Sequence, residues 1–278
     1  MPELPEVETT MRAVASQFAH ATLQHTDVYV PKLRNIVPQK RLQALALAKI
    51  TSISRRAKYI LLGLSNGCSI IIHLGMSGRL HWQPATYAPQ KHDHVVWHLT
   101  KPRAKTTSLL VFTDPRRFGV VDVCETAELA THPCFKHLGP EPWDPTITPQ
   151  WLQQKWQKRG GAIKPVLLDQ KIMVGVGNIY ACEALFLSGI NPEKPSNTLS
   201  LPQIKKLLPH VQGVMQAAID AGGTSMRDYV QPDGAMGHFQ DQFNVYDRAG
   251  KPCLVCSTTI KRVVHAGRSS FYCPKCQK

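Results

Sequence analysis

The sequence lacks any apolar run approaching the roughly 20 residues that span a lipid bilayer, which excludes an integral membrane protein. It also contains no internal repeat and no low-complexity tract. A hydrophobic fraction of 43% over 278 residues excludes a disordered chain and suffices for two domains and a small appendage. The acidic, proline-interrupted start differs from the basic, apolar start of a secretory signal. We therefore expect a cytoplasmic protein, and a monomer, because no segment marks an oligomer interface.

Acidic residues are scarce in two tracts of the chain. Between Asp27 and Asp93 there is no Asp or Glu but there are ten Lys or Arg, and residues 251–278 contain six Lys or Arg and no acid. The formal net charge is +14. Two cationic tracts separated by an ordinary stretch indicate a polyanion bound across more than one domain, and nucleic acid is the usual one. Solubility or ribosome association remains the alternative explanation of charge alone.

The first half of the chain changes from a helical to a strand-like pattern. Residues 5–18 have an apolar stripe at helical spacing, and Pro5 suits the first turn of a helix. From about residue 22 to 125, short apolar runs predict strands, two of them flanking the hairpin signal at 65–67. Many short strands with such turns indicate a β-sandwich or barrel.

The second half returns to a helical pattern after a proline-rich linker at about 131–149. Helices are predicted at 151–159, 178–187 and 200–221. Pro209 should kink or divide the last of them. The polar, glycine-containing stretch 222–246 is predicted to be a loop.

The last four cysteines form two close pairs separated by sixteen residues, and a cationic segment lies between the pairs. Two such pairs match the tetrahedral thiolate ligands of a structural zinc ion, with no coordination position left for catalysis. Disulfides are the alternative, and a reducing cytosol disfavours them. The predicted ligands of one Zn²⁺ ion are Cys253, Cys256, Cys273 and Cys276. The scattered Cys68, Cys124, Cys134 and Cys182 are predicted to be reduced core thiols.

Three glycine-containing turns are candidate DNA contacts. Gly175-Val176-Gly177-Asn178 precedes a predicted helix, where backbone amides favour a phosphate, although such turns often serve packing alone. In the turn at 114–119, Phe118 is able to wedge between bases. Its alternative is a buried Phe118 beside an ion pair between Arg117 and Asp114, and for Arg117 we favour the ion pair. Met76 lies between two glycines in another turn. It would contact DNA only if that turn converges with the turn at 114–119.

The N-terminus itself offers a nucleophile. Pro2 is small enough for Met1 to be removed, which leaves a secondary amine next to a helix N-terminus. An α-amino group titrates near ~8, and the helix dipole disfavours its cation. Attack on a sugar C1′ gives an iminium directly, with Glu3 as a proton shuttle. An inert proline with a capping glutamate is the alternative.

Together these motifs resemble the formamidopyrimidine-DNA glycosylase family. The similarity begins with Pro-Glu-Leu-Pro-Glu-Val-Glu-Thr at 2–9 and continues in order to the end of the chain. The similarity also includes the motifs at 56–59, 73–78, 91–94, 114–119, 162–165 and 174–181, the Gly222-Gly223 loop and the terminal cysteines.

The resemblance implies an α+β multidomain chain with DNA in the cleft between its two domains. We expect an N-terminal β-sandwich catalytic domain with flanking helices at 1–132 and a linker at 133–149. A helix-two-turn-helix domain would follow at 150–246, with a base-covering loop at 222–246. A zinc-finger β-hairpin would occupy 247–278.

The resemblance also implies residue roles by matching position. Pro2 would be the Schiff-base nucleophile and Glu3 the general acid at the sugar. Lys58 would donate the proton for β-elimination and contact a phosphate, and Arg268 would donate the proton for δ-elimination. Lys164 resembles a residue linked to oxoguanine handling. The gap-filling residues would be Met76, Arg116 and Phe118, and the backbone contacts would be His92, Asn178 and Arg268.

The implied activity is base excision repair of 8-oxoguanine and formamidopyrimidines in duplex DNA, followed by β,δ-elimination at the abasic site. Such an enzyme would be bacterial in type, cytoplasmic and associated with the nucleoid through DNA. An endonuclease VIII-type enzyme for oxidised pyrimidines is the nearest alternative, but Leu4 favours the purine branch. A non-catalytic zinc-finger DNA-binding protein is a second alternative, and it would have no need of a free Pro2.

Overall fold

A computed structural model describes residues 2–225, 232 and 234–278. Two compact units are distinguished by the contacts along the chain. The first unit comprises Met1–Lys136 and Gly222–Gly237, and the second comprises His137–Ala221 and His238–Lys278. The described elements of the first unit are α1 (Leu4–Phe18), β1 (Thr22–Val28), α2 (Gln39–Gln43), β2 (Ile50–Arg56), β3 (Tyr59–Leu64), β4 (Cys68–His73), β5 (Arg79–Pro84), β6 (Asp93–Thr100), β7 (Thr107–Thr113) and β8 (Val120–Glu125).

Helix α1 confirms the helix predicted at 5–18. Its start has a capping box, in which the N-cap Glu3 and the N3 residue Glu6 satisfy each other's backbone N–H groups. Pro5 lies in the first turn, where no intrahelical N–H bond is lost. The stripe that includes Val14 and Phe18 is buried in the core of the unit.

The first unit is a β-sandwich, as expected. One sheet has the strand order β1-β6-β7-β5 and the other the order β2-β3-β4-β8, with antiparallel pairing throughout. Strands β3 and β4 form the predicted hairpin around residues 65–67, with Leu62 opposite Ile70. Alternate residues of both sheets, among them Trp97 and Phe112, fill one apolar core with α1.

The second unit is mainly helical and contains the terminal hairpin. Its described helices and strands are α3 (Pro149–Trp156), α4 (Ile163–Leu167), α5 (Asn178–Ser188), α6 (Leu201–Asp220), β9 (Lys261–His265) and β10 (Arg268–Tyr272). Across the described ranges, no helix combines the length and apolarity that crossing a bilayer requires.

Two sequence predictions in this unit need correction. Helix α6 runs unbroken through Pro209, because buried side chains on both sides of it, including Leu208 and Val211, keep one face packed although one backbone hydrogen bond is lost. Helix α3 ends at Trp156 rather than at residue 159. Trp156 is its last buried residue, and the chain beyond it has no apolar face to bury.

Candidate functional site

Pro2 and Glu3 stand directly before α1, and both are buried. The Glu6 carboxylate joins this N-terminus to the segment that follows Gly222. Its Oε2 accepts from the Glu3 backbone N–H at 2.8 Å, and its Oε1 accepts from the Thr224 N–H at 2.9 Å. The chain start and the beginning of the predicted base-covering loop are therefore neighbours within the first unit. Met1, whose removal was predicted, lies outside the described residues.

The predicted loop 222–246 is described in part, because residues 226–231 and 233 lie outside the described residues. Its two described ends within the first unit are in contact. The Ser225 hydroxyl oxygen accepts from the Gly237 N–H at 2.8 Å, and a Cβ on Gly237 would come within 2.2 Å of the Gly223 carbonyl. Only glycine at position 237 allows this approach of two backbone segments.

Lys58 lies in the two-residue turn of the β2–β3 hairpin and is half-buried. The adjoining Ala57 has a left-handed φ of 52°. Arg55 fixes this turn against α1, because its Nε contacts Glu8 Oε2 at 2.7 Å while its Nη1 donates to the Ala57 carbonyl at 2.8 Å. The strand itself begins at the next residue, Tyr59.

His73, at the end of β4, is a neutral acceptor. Burial lowers its pKa to about 4, and the charges of Lys58 and Arg34 add to this effect. Its Nδ1 accepts from the Gly75 backbone N–H at 2.9 Å. The first residues of the Met76 turn are thereby fixed to the end of the strand.

The Met76 turn and the 114–119 turn converge, which the sequence left open. Gly75 has a φ of 65°, and a Cβ there would come within 2.5 Å of the Phe118 backbone. A Cβ on Gly119 would come within 2.9 Å of the His73 carbonyl. Glycine at both positions is required for this backbone contact.

Asp114 connects the two turns with each other and with His92, the residue before β6. This fully buried side chain accepts at Oδ1 from the Ser77 hydroxyl at 2.6 Å and at Oδ2 from the Gly119 N–H at 2.7 Å. Its own backbone N–H donates to the His92 carbonyl at 3.0 Å. The Asp114 carboxylate thus positions the two turns that carry Met76 and Phe118, and its backbone N–H holds the backbone of His92.

The side chains at these turns are accessible. Met76 is 36% and Phe118 is 44% exposed. The Arg116 guanidinium lies 4.9 Å from the centre of the Phe118 ring. The predicted ion pair between Arg117 and Asp114 is wrong for the described residues: Arg117 is exposed, and the Asp114 oxygens accept from Ser77 and from backbone N–H groups instead.

His92 borders a cavity of about 590 Å³ on the same side of the first unit. The cavity is also lined by Arg79, Lys91, His81 and Pro232. Asp93 lines the cavity as well, so its wall next to His92 carries both basic and acidic side chains.

Lys164 is fully buried in the second unit, at the start of α4. Its Nζ donates to Asn178 Oδ1 at 2.5 Å, to the Ser269 carbonyl at 2.8 Å and to Ser270 Oγ at 2.8 Å. Asn178 Nδ2 also donates to the Ser269 carbonyl, at 2.9 Å. The amine therefore connects the first residue of α5 with β10, and its burial keeps it from direct contact with a DNA base.

The Gly175–Gly177 loop before α5 is supported by Gln170. Its Oε1 accepts from the Gly175 N–H at 2.7 Å, and its Nε2 donates to the Val176 carbonyl at 3.1 Å. Gly177 is the N-cap residue of α5, so the loop leads directly into a helix N-terminus, whose dipole favours an anion.

The four terminal cysteine sulfurs all lie within 4.8 Å of one another. The Cys256 sulfur is 3.4 Å from those of both Cys273 and Cys276, and Cys253 is 4.0 Å from Cys276. A tetrahedral zinc ion with Zn–S bonds of 2.3 Å places sulfurs about 3.8 Å apart, so the donor set fits one zinc ion.

Arg268 begins β10 at the tip of the terminal hairpin and is exposed. The turn residues Ala266 and Gly267 both have positive φ, as tight two-residue hairpins require. Arg268 pairs with His265, whose Nδ1 lies 2.6 Å from Ser270 Oγ. The hairpin thus presents a cation at its tip while its base lies against the cysteine cluster.

Comparison with known proteins decides the family. The sequence model of the formamidopyrimidine-DNA glycosylase N-terminal domain matches residues 1–121, and that of the formamidopyrimidine-DNA glycosylase H2TH domain matches 138–230. A third sequence model, described as "Zinc finger found in FPG and IleRS", matches residues 250–278. The chain belongs to the formamidopyrimidine-DNA glycosylase (Fpg) family.

Individual relatives agree over the full length of the chain. The formamidopyrimidine-DNA glycosylase of Edwardsiella ictaluri is 46% identical, with 100% of both chains covered. Lactococcus lactis Fpg in a complex with an abasic site containing DNA is similar at a TM-score of 0.91 and 31% identity, again over 100% of both chains. A variant of the same Fpg in a complex with Fapy-dG containing DNA gives the same TM-score, identity and coverage.

Several supporting residues of this Fpg-family chain were missed or undervalued from the sequence. Glu6 was not singled out from the sequence as a supporting residue, although the spacing Glu3-x-x-Glu6 is a capping-box signal. Glu183 is buried and accepts from the backbone N–H groups of residues 244–246, ahead of the cysteine cluster. No local pattern identifies Glu183 or Gln170, because their partners are set by the tertiary fold.

Proposed function

We propose that this protein is a base-excision repair enzyme that removes 8-oxoguanine and formamidopyrimidines from duplex DNA and then cleaves the abasic site. The observation that carries the proposal is the chain start: Pro2 and Glu3 precede α1, and Glu6 connects them to Thr224 of the loop predicted to cover an extruded base. The relatives that carry abasic-site or Fapy-dG DNA support the substrate class.

Pro2 acts as the nucleophile in this proposal, after loss of Met1. Its secondary amine attacks C1′ of the damaged nucleotide, the C1′–N bond breaks, and the base leaves with a proton. The product is an iminium between Pro2 and the opened sugar, and Glu3 protonates the sugar oxygen as the ring opens. The α1 N-terminus disfavours a cationic amine, which leaves the lone pair available.

The iminium then acts as an electron sink for strand cleavage. Loss of a C2′ proton breaks the C3′–O bond, and a second elimination breaks the C5′–O bond, leaving phosphates at both ends of a one-nucleotide gap. We assign Lys58 as the proton donor in β-elimination and Arg268 in δ-elimination. The half-buried position of Lys58 next to α1 supports the first assignment, and the exposed hairpin tip supports the second.

Base extrusion requires groups that fill the vacated stack and bind the distorted backbone. We assign Met76, Arg116 and Phe118 to the gap, because their turns are in contact and their side chains are accessible. The assigned backbone contacts are His92, Asn178 and Arg268. Lys164 is assigned an indirect part in oxoguanine handling, through Asn178 and β10.

The zinc ion has a structural role in the proposal. Four thiolates complete its coordination sphere, so it stabilises the terminal hairpin and takes no part in the chemistry. Reduced cysteines and a DNA substrate support a cytoplasmic, nucleoid-associated enzyme. We expect it to act as a monomer. The domain limits 1–132, 150–246 and 247–278, with the linker at 133–149, remain predictions.

Borohydride trapping tests the mechanism. Zinc-loaded protein, shown by mass spectrometry to have lost Met1, is incubated with an 8-oxoguanine–cytosine duplex and, in parallel, a thymine-glycol duplex. A covalent adduct at Pro2 that forms faster on 8-oxoguanine supports both the mechanism and the substrate. Faster trapping on thymine glycol would favour the endonuclease VIII-type alternative, and no adduct on either would leave only DNA binding. Full activity with Met1 retained would contradict the proline mechanism.

A further inference from the structure

The outer face of the first sheet carries a second group of metal-binding side chains. His25 and Asp27 are two residues apart on the edge strand β1, so their side chains project from the same face. The partner of His25 on the neighbouring strand β6 is His98. His98 on β6 is thereby brought next to His25 and Asp27 on β1, at one point of the sheet.

The ligand atoms of these residues converge. The Asp27 Oδ2 atom lies 2.7 Å from His98 Nε2 and 3.8 Å from His25 Nε2. The two imidazoles are stacked with ring centres 3.6 Å apart, and all three ligand atoms lie within 4.8 Å of one another. A tetrahedral zinc ion with bonds of 2.0–2.2 Å needs ligand atoms about 3.3 Å apart. The two measured distances bracket that value, and turning the exposed His25 ring out of the stack with His98 directs the lone pairs of all three ligand atoms at one ion.

We propose that His25, Asp27 and His98 bind one zinc ion, separate from the ion of the four cysteines. Two imidazoles and one carboxylate form the three-ligand set of zinc sites that keep an open position. The side chains are 55%, 40% and 20% exposed, in the order His25, Asp27 and His98, so water reaches the fourth position. The zinc ion replaces the imidazole protons that contact Asp27 and stabilises the edge strand β1 against β6.

Equilibrium dialysis of the protein against Zn²⁺, with the cysteine-bound ion left in place, tests the site. Metal analysis should give two zinc ions per chain for the wild type and one for His98→Gln and for Asp27→Asn. His137→Gln and Asp220→Asn, both at exposed positions of the second unit, are matched controls and should retain two. One ion in the wild type, or two in the His98 and Asp27 variants, overturns the proposal.

Anomalous diffraction at the zinc edge gives a second test that depends on no variant. Wild-type crystals soaked in Zn²⁺ should show a peak about 2.0–2.2 Å from His25 Nε2, Asp27 Oδ2 and His98 Nε2. A peak at the four cysteines alone overturns the proposal. Both tests are independent of the glycosylase activity, so they stand whether or not the proposed function does.

Discussion

At the scale of single residues, Asp114 is the strongest candidate for a residue that positions others. It accepts from Ser77 and Gly119 and lies next to the exposed Phe118. Asp114→Asn replaces one acceptor oxygen with a donor, which leaves a buried N–H or O–H group without its acceptor and destabilises the protein by about 1–3 kcal/mol. We expect excision of 8-oxoguanine to fall about 10-fold or more, and cleavage of a preformed abasic site to fall much less.

The difference between the two substrates separates positioning from general damage to the fold. Base extrusion needs the gap-filling turns, whereas an abasic site has no base to extrude. Asp220→Asn, at an exposed position bonded only to Gln216 among the described contacts, is the control and should leave both rates unchanged. An equal loss on both substrates in Asp114→Asn would contradict the positioning role.

Lys164 provides a second prediction at this scale. Lys164→Met keeps the length of the side chain but leaves Ser270 Oγ and Asn178 Oδ1 without the buried amine. We expect a loss of stability of about 1–3 kcal/mol, because buried acceptors lose their donor. Thermal unfolding measures it, with the exposed Lys171→Met as the control. A melting temperature equal to that of the control would show that the amine stabilises nothing.

At the scale of elements, the contact between two turns makes a sharp steric prediction. Gly75 and Gly67 both have left-handed φ, so alanine costs about 1–2 kcal/mol at either position. A Cβ at Gly67 meets open space, whereas one at Gly75 comes within 2.5 Å of the Phe118 backbone. Gly75→Ala should therefore lose more stability than Gly67→Ala in chemical unfolding, and it alone should lose 8-oxoguanine excision. Equal behaviour of the two variants would contradict the turn contact.

The terminal hairpin depends on its metal more than on its apolar core. Besides three cysteines, the cluster around it contains few buried residues, among them Ile260 and Phe271. Cys276→Ser should lose zinc and with it most of the DNA affinity, because the β9–β10 tip is no longer fixed. Metal analysis and a binding titration measure both, with Cys68→Ser in the first unit as the control. Retained zinc in Cys276→Ser would contradict the four-cysteine site.

Local signals explain which elements were predictable from the sequence. Helix α1 and the β3–β4 hairpin were foreseen because capping, proline placement and turn residues act within a few positions. The zinc ligands were foreseen for the same reason. Pro209 was misjudged because packing along α6 outweighs one lost hydrogen bond.

The residues of the candidate site were predictable from the sequence, but the residues that hold them in position were not. Sequence motifs indicate Pro2 and Phe118 as site residues. The hydrogen bond from Ser77 to Asp114, by contrast, follows from contacts between distant parts of the chain. The prediction for Arg117 was wrong for this reason. A nearby cation is the obvious partner of Asp114 in the sequence, but in the fold its carboxylate accepts from the Ser77 hydroxyl and from backbone N–H groups instead. Such contacts depend on the register of the sheets, which no local pattern encodes.

At the scale of the whole molecule, the salt dependence of DNA affinity reports how many of the cations behind the net charge of +14 contact phosphates. Each phosphate neutralised by a bound cation contributes about −0.9 to the slope of log K against log salt. The double variant Arg262→Gln, Arg268→Gln removes two exposed cations from the terminal hairpin. If both contact phosphates, the slope should become less steep by about 2.

The control for this prediction removes the same charge elsewhere. Arg103→Gln with Lys105→Gln lowers the net charge by two as well, at exposed positions between β6 and β7. Because counterion release counts phosphates in contact rather than total charge, this variant should keep the wild-type slope. Fluorescence anisotropy with an abasic-site duplex, measured from about 50 to 200 mM salt, compares the slopes. If both doubles reduced the slope equally, the affinity would arise from the overall field of the protein, and the assignment of Arg268 to the DNA backbone would fail.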